Sequence, residues 1–148
     1  AIREKTTVTL GRLSFIYKGG ILFIQLPSGR LLSYIKPRIG TNRFGGDSIE
    51  YMGINASKKW DVLETFGGKL VENIVQAIAR DLLAFALINT ANAGYDIVFH
   101  VHDEIICEVP DGQGSVDELC KIMSKRPDWA DGLPLDADGY ECEYYRKD

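Results

Sequence analysis

The first half of the chain alternates short apolar runs with turn residues. Gly-Gly and Pro-Ser-Gly steps separate these runs, and such steps connect antiparallel strands. The predicted strands are Leu13–Tyr17, Ile21–Leu26 and Leu31–Ile35. The residues before them are expected to end a helix. Residues 36–47, with one proline and three glycines among basic residues, predict a mobile surface loop. Residues 48–54 predict another short strand, and the whole pattern indicates an antiparallel meander.

The middle of the chain changes to helical periodicity. From Thr65 or Lys69 to about Asn92, apolar residues recur at spacings of three and four and form one stripe. The stripe comprises Val71, Ile74, Val75, Ile78, Leu82, Phe85 and Ala86. Ser115, followed three residues later by Glu118, predicts the capped start of a shorter helix. The tail, residues 135–145, alternates aromatic and acidic residues and predicts a closing strand.

These elements indicate an α+β fold in which helices back an antiparallel sheet. A chain of 148 residues with 45% hydrophobic content can bury one core. No repeat or linker interrupts the pattern. We therefore expect a single domain over residues 1–148.

Two adjacent acids interrupt an apolar, β-branched stretch between Ile97 and Pro110. Strand-like runs on both sides predict a tight hairpin that holds Asp103 and Glu104 at or beside its tip. Carboxylates displayed there can bind a hard divalent cation, which prefers oxygen ligands and can gather more of them from substrate phosphates.

His102-Asp103-Glu104 between apolar strands resembles motif C of the family A DNA polymerases. The helix over residues 67–83 is similar to the helix that precedes motif C in the phage-type branch of that family. The resemblance implies an antiparallel palm sheet with a long helix and a motif C β-hairpin. It also implies template-directed DNA synthesis, with Mg²⁺ as cofactor and with primer-template DNA and dNTP as partners.

The resemblance also implies the roles of the catalytic residues. Asp103 would coordinate the Mg²⁺ ions, and Glu104 would support the metal site or its hydrogen-bond network. His102 would lie near the primer terminus and help to place its sugar-phosphate.

A complete polymerase of this family needs parts that this sequence lacks. Its second metal-binding Asp lies in a motif like Asp-Tyr-Ser-Gln-Ile-Glu, and a fingers helix with Arg, Lys and Tyr grips the nucleotide. Two-metal catalysis needs carboxylates from both motifs. The chain is therefore expected to be the C-terminal palm portion of the enzyme, inactive by itself, with a two-ion site completed only in the full-length enzyme.

A polar ridge on the long helix predicts contact with duplex DNA. Asn73, Gln76 and Arg80 recur at spacings of three and four, and such groups suit the minor-groove acceptors that every base pair presents. Gln76 matches the family pattern in register, whereas Glu72 occupies the position of the family Asn. Lys69 and Arg30 are further candidates for phosphate contacts. An ordinary solvated helix face remains the alternative.

The net charge of −4 is unevenly distributed. Residues 1–46 hold eight Lys or Arg and one acid, and the remainder holds nine bases and twenty acids. Such a division is typical of a phosphate-facing front joined to an acidic body, although accidental clustering on solvated faces is an equal alternative.

Other features of the sequence favour a cytoplasmic protein that is monomeric in isolation. No apolar run approaches the roughly 18 residues of a membrane span, and no signal peptide is recognised. Three cysteines without a Cys-x-x-Cys pair are expected to be reduced and buried. The two tryptophans, Trp60 and Trp129, are expected to be buried or half-buried.

Two other functions remain open from the sequence. A small metal-dependent nuclease could combine Asp103 and Glu104 with Glu108, Asp111 or Asp81. His100 and His102 could also hold a transition metal with a carboxylate. In a noncatalytic interaction module, the hairpin would be an ordinary Asp-containing turn.

Overall fold

The computed structural model describes residues 1–42 and 44–145, and the fold is α+β, as the sequence predicts. The strands are β1 Thr7–Leu10, β2 Leu13–Lys18, β3 Ile21–Gln25, β4 Leu31–Thr41, β5 Asp47–Ile54, β6 Trp60–Thr65, β7 Asp96–Val101 and β8 Glu104–Glu108. The helices are α1 Gly67–Asn92 and α2 Val116–Met123, and Asp128–Ala130 forms a single 3₁₀ turn. The chain divides into two compact units, residues 1–78 and 79–148. The expectation of one domain stays a prediction.

The first unit is an antiparallel meander in the order β1-β2-β3-β4-β5-β6, with the first part of α1 packed on it. Alternate residues of β3 point to one face, and Leu22 and Ile24 there are almost fully buried. Ile74 and Ala77 of α1 complete this core, together with Leu26 and Tyr34. The meander predicted from the turn residues is present.

Two predictions for the edges of this sheet were wrong. Residues 36–41 continue β4 instead of forming a loop, because a bulge between Ile35 and Arg38 accommodates Pro37, which cannot donate a ladder hydrogen bond. Thr7–Leu10 forms a strand paired with β2, where the end of a helix was expected. Strand β6 was not predicted.

Helix α1 has the predicted extent but a different buried face. Leu70, Ile74 and Ala77 meet the sheet core of the first unit at helical spacing. Val71 and Val75, each one position further along, are therefore turned away and are mostly exposed. The prediction that these two valines belong to the buried stripe was wrong.

The second unit contains the rest of α1, the β7–β8 hairpin and α2. Leu83, Ala86 and Ile105 form its small core, with Met123 of α2 packed against it. The predicted capped helix is present: the Ser115 hydroxyl oxygen accepts a hydrogen bond from the Glu118 N–H at 3.1 Å. The tail over residues 135–145 has no strand, so that prediction was wrong.

Among the described residues, α1 is the one helix that is long and apolar enough to cross a membrane by length and composition. The core helix of a soluble protein meets the same criterion, and Ile74, Ala77, Leu83 and Ala86 of α1 are buried in the two cores. The absence of a membrane partner stays a prediction.

Candidate metal and DNA site

The predicted hairpin is formed by β7 and β8, with His102 and Asp103 as its two-residue turn. Val101 and Glu104 are the last cross-strand pair before the turn. His102 has a φ of +47°, a left-handed conformation that side chains other than glycine rarely adopt. The turn directs Asp103 into solvent, and Asp103 and Glu104 are both exposed.

A β-bulge in β7 shifts the register of this hairpin and so determines which side chains share a face. Ile97 pairs with Cys107, but the next pair is Phe99 with Ile106, which leaves Val98 as the additional residue. Ile105 and Cys107 point into the core of the second unit. Glu104 and Ile106 therefore lie on the outer face, where Phe99 also lies.

Tyr145 covers part of this outer face. Its hydroxyl donates a hydrogen bond to Oε2 of Glu104 at 3.2 Å, and its ring packs edge-to-face on Phe99 with centroids 5.0 Å apart. Partial burial, together with the hydrogen bond to Glu104, raises the pKa of Tyr145 above 10.0. Because Tyr145 is thus neutral at neutral pH, it can hold one oxygen of Glu104 while the other stays accessible.

Sequence reasoning missed Tyr145. The alternation of aromatic and acidic residues in the tail was interpreted as a strand, and no contact of Tyr145 with the hairpin was predicted. The available signal was a tyrosine, whose hydroxyl can donate a hydrogen bond, in a polar tail. That signal is weak, because the sequence does not show which distant acceptor the hydroxyl would reach.

The two exposed carboxylates fit part of a Mg²⁺ site. Hard cations take oxygen ligands and can complete their coordination with water and substrate phosphates. Within residues 1–42 and 44–145, no group of three or more His, Cys, Asp or Glu side chains is placed to hold a metal. The hairpin therefore supplies an incomplete set of ligands, and the described residues assemble neither the His-His-carboxylate site nor a three-acid nuclease site.

The exposed face of α1 in the first unit carries two of the predicted DNA-contacting residues. Nζ of Lys69 lies 2.9 Å from both carboxylate oxygens of Glu72. Nε2 of Gln76 donates to Oε1 of the same carboxylate at 3.3 Å. Glu72 thus offsets the charge of Lys69 and orients the Gln76 amide, whose carbonyl oxygen remains available.

Asn73 and Arg30 make contacts inside the first unit. Nδ2 of Asn73 donates to the Tyr34 hydroxyl at 3.1 Å, and Asn73 is half-buried. The Arg30 guanidinium donates to the Ala77 carbonyl oxygen at 2.7 Å, which ties the β3–β4 turn to α1. Arg80 belongs to the second unit and is exposed. Their predicted role in binding DNA stays a prediction.

The chain is similar over its whole length to part of a known enzyme. It is 51% identical, over 150 aligned residues, to the DNA polymerase of Bacillus phage SP02. The alignment covers 100% of this chain and 23% of the phage polymerase, so the chain spans about a quarter of that relative's length. No family model matches the chain. No solved structure matches it.

Proposed function

We propose that this chain is the C-terminal palm portion of a family A DNA polymerase and that Asp103 is a ligand of its catalytic Mg²⁺. One observation carries the proposal: an exposed Asp-Glu pair at a strained two-residue hairpin turn, in a chain that is 51% identical over its whole length to part of a phage DNA polymerase. Non-glycine residues with strained backbone conformations cluster at functional sites.

Asp103 and Glu104 are the residues that would hold Mg²⁺, and Tyr145 would fix the orientation of Glu104. When bound, two Mg²⁺ ions in such a site activate the primer 3′-hydroxyl and stabilise the leaving oxygen. The further carboxylate needed for the second ion would come from polypeptide outside this sequence. His102 is the other residue of the turn and is exposed, and its imidazole would donate a hydrogen bond to the primer terminus.

The partners in the full enzyme would be primer-template DNA and dNTP. Gln76 is exposed, and its amide nitrogen carries a second N–H besides the one that it donates to Glu72; Arg80 of the second unit is exposed as well. Each of these N–H donors by itself suits the detection of duplex geometry, because minor-groove acceptors occupy similar positions in every base pair. Lys69 and Arg30 would add phosphate attraction, which Glu72 reduces at Lys69.

A chimera tests the proposal. The matching segment of the SP02 polymerase is replaced by this chain, and template-dependent primer extension is measured with Mg²⁺. We expect the chimera to extend primers and Asp103→Ala to reduce extension by more than about 100-fold, since it removes a metal ligand. Asp131→Ala is the matched control, because Asp131 is also an exposed acid of the second unit.

A folded chimera that cannot extend primers would contradict the proposal, as would an Asp103→Ala chimera that retains full activity. The other functions give different results with the isolated chain. Mg²⁺-dependent cleavage of plain DNA that Asp103→Ala abolishes would indicate a nuclease. Amide chemical shifts near Asp103 that do not move in a Mg²⁺ titration would indicate a noncatalytic module.

A further inference from the structure

The β5–β6 hairpin of the first unit presents two large apolar side chains to solvent. Ile54 and Trp60 are direct cross-strand partners, and 66% of Ile54 and 57% of Trp60 are exposed. The sequence had suggested that Trp60 is buried or half-buried, and that was wrong. Tyr51 and Leu63, at alternate positions, lie on the other face of the sheet, and Tyr51 packs against the core. Trp60 therefore lies on the solvent face.

The loop between these strands is held in one conformation by Asn55. Its side-chain oxygen accepts hydrogen bonds from the Ser57 N–H at 2.9 Å and the Lys59 N–H at 3.0 Å. The Asn55 N–H donates to the Lys59 carbonyl oxygen, and the Asn55 carbonyl oxygen accepts from the Lys58 N–H, both at 2.9 Å. Trp60 follows this loop directly, so its position is determined by an ordered turn.

Two lysines beside Trp60 lack an acidic partner. Lys58 and Lys59 are exposed, and their side-chain ammonium groups make no hydrogen bond or ion pair with any of the described residues. Elsewhere in this unit, Arg3 is paired with Asp47 and Arg38 with Glu50. The nearest acid in sequence, Asp61, accepts hydrogen bonds from Asn55 Nδ2 and from the Val62 N–H.

The apolar surface continues across the same face of the sheet. Met52 pairs with Val62, Ile35 with Met52 and Ile21 with Ile35, which places these side chains in a row across four strands. Strands lie about 4.8 Å apart, so the row is roughly 15 Å long. Lys18, the partner of Ile21, is exposed at the far end of this row.

We propose that this face binds single-stranded nucleic acid, with a base stacked on Trp60 and phosphates beside Lys58 and Lys59. An exposed indole next to unpaired cations suits this ligand, because bases stack on aromatic rings while the backbone carries negative charge. Unpaired bases present their faces, whereas those of a duplex are stacked on each other. The inference goes beyond the proposed catalytic function, since it needs neither a metal ion nor Asp103.

Fluorescence of the purified chain tests the proposal in EDTA. The chain has two tryptophans, and the substitution Trp129→Phe leaves Trp60 as the single one. Titration with an oligo-dT at low salt is expected to quench its emission by stacking. In a second assay, the anisotropy of a labelled oligo-dT gives the affinity of each variant. Trp60→Ala is expected to weaken binding by about tenfold, and Trp60→Phe by less, since a ring remains.

The lysines have a separate readout in the salt dependence of binding. Lys58→Ala with Lys59→Ala is expected to reduce the slope of log K against log salt by about 1.4, because each phosphate contact on a single strand contributes about 0.7. Lys121→Ala with Lys125→Ala is the matched control, since both lysines are exposed residues of the second unit. That control is expected to leave the slope unchanged.

Three outcomes would overturn the proposal. The first is no quenching of Trp60 by oligo-dT, and the second is equal affinity for a duplex of the same length. The third is a dimer in sedimentation that Trp60→Ala dissociates, since the face would then bind a second copy of the chain. These outcomes are independent of the chimera, because primer extension depends on Asp103 and this binding does not.

Discussion

His102 has a conformation that favours glycine, although glycine would remove the imidazole from the turn. A left-handed φ costs a residue with a Cβ about 1 kcal/mol, and glycine avoids that cost. In the proposed polymerase, that free energy is the cost of placing an imidazole beside Asp103. Stability and function therefore make opposite demands on this residue.

The residue-scale prediction concerns His102→Gly. We expect this change to raise the free energy of unfolding of the isolated chain by about 1 kcal/mol, because it relieves the strained backbone. Urea unfolding followed by circular dichroism measures it. Asp103→Gly is the control: the backbone of Asp103 is not left-handed, so no gain is expected. If His102→Gly lowered the free energy of unfolding, the imidazole would stabilise the fold by more than the backbone strain destabilises it.

The three cysteines differ in burial, which the sequence pattern does not predict. Cys107 and Cys120 are half-buried, and burial raises the pKa of both thiols, but Cys142 is exposed, contrary to the expectation of three buried cysteines. All three are free thiols, as predicted. Composition indicates how often a residue type is buried, but not which member of the type is exposed.

At the scale of elements, the start of α2 depends on a tyrosine that the sequence motif does not contain. The Tyr95 hydroxyl donates to Oε2 of Glu118 at 2.7 Å and accepts from the Ser115 N–H at 3.3 Å. It therefore bridges the Glu118 carboxylate and the Ser115 N–H, which in a capping box commonly bond each other directly. Gly114 permits this approach, since a Cβ there would lie 3.0 Å from the Tyr95 ring and hydroxyl.

The prediction for this cap is a pH dependence. The hydrogen bond to Glu118 raises the pKa of Tyr95 above 10.0. Because the folded pKa exceeds the unfolded one, this stabilisation is complete below pH 10.0 and is lost as the pH rises through the folded pKa. Tyr95→Phe is therefore expected to be destabilised relative to the wild type below that pH, with the difference shrinking above it.

Urea unfolding of both chains over a pH series measures this difference. Tyr144→Phe is the matched control, since Tyr144 is 71% exposed, and it is expected to match the wild type at every pH. If the difference in the free energy of unfolding between Tyr95→Phe and the wild type stayed constant across the series, the hydroxyl would stabilise the fold independently of its hydrogen bond to the Glu118 carboxylate.

The tail segment leads to a prediction about Glu104. Tyr145→Phe keeps the ring on Phe99 and removes the donor to Glu104. In the chimera, we expect the Mg²⁺ concentration for half-maximal primer extension to rise severalfold, because Glu104 is no longer held in one orientation. Tyr144→Phe controls for the loss of a tail hydroxyl. Identical Mg²⁺ dependence in both variants would contradict the role assigned to Tyr145.

At the scale of the whole molecule, the proposed metal site would be incomplete in the described part of the chain. The described residues hold no cluster of three or more ligands, and the chain matches 23% of the phage polymerase. Each unit nevertheless has its own buried core. A folded chain can thus present Asp103 to solvent without assembling the complete catalytic centre of the proposed polymerase.

The whole-molecule prediction is that the isolated chain does not polymerise. With Mg²⁺, primer-template and all four dNTPs, we expect no template-dependent incorporation, because two-metal catalysis needs carboxylates from a second motif. Incorporation of labelled dNTP measures this, with the chimera as the positive control. Activity of the pure chain that Asp103→Ala abolishes would contradict the prediction.

The sequence by itself determined the α+β class, most of the meander, the long helix, the acidic hairpin and the cap at Ser115. These features depend on neighbours along the chain: turn residues, residue periodicity and short-range hydrogen bonds. The tertiary structure decided the contacts of Tyr145 with Glu104, of Asn73 with Tyr34 and of Arg30 with Ala77. Those pairs are 41, 39 and 47 residues apart in the sequence. Local patterns specify which side chains share a face, whereas packing between distant segments decides what covers that face, as the exposure of Val71 and Trp60 demonstrates.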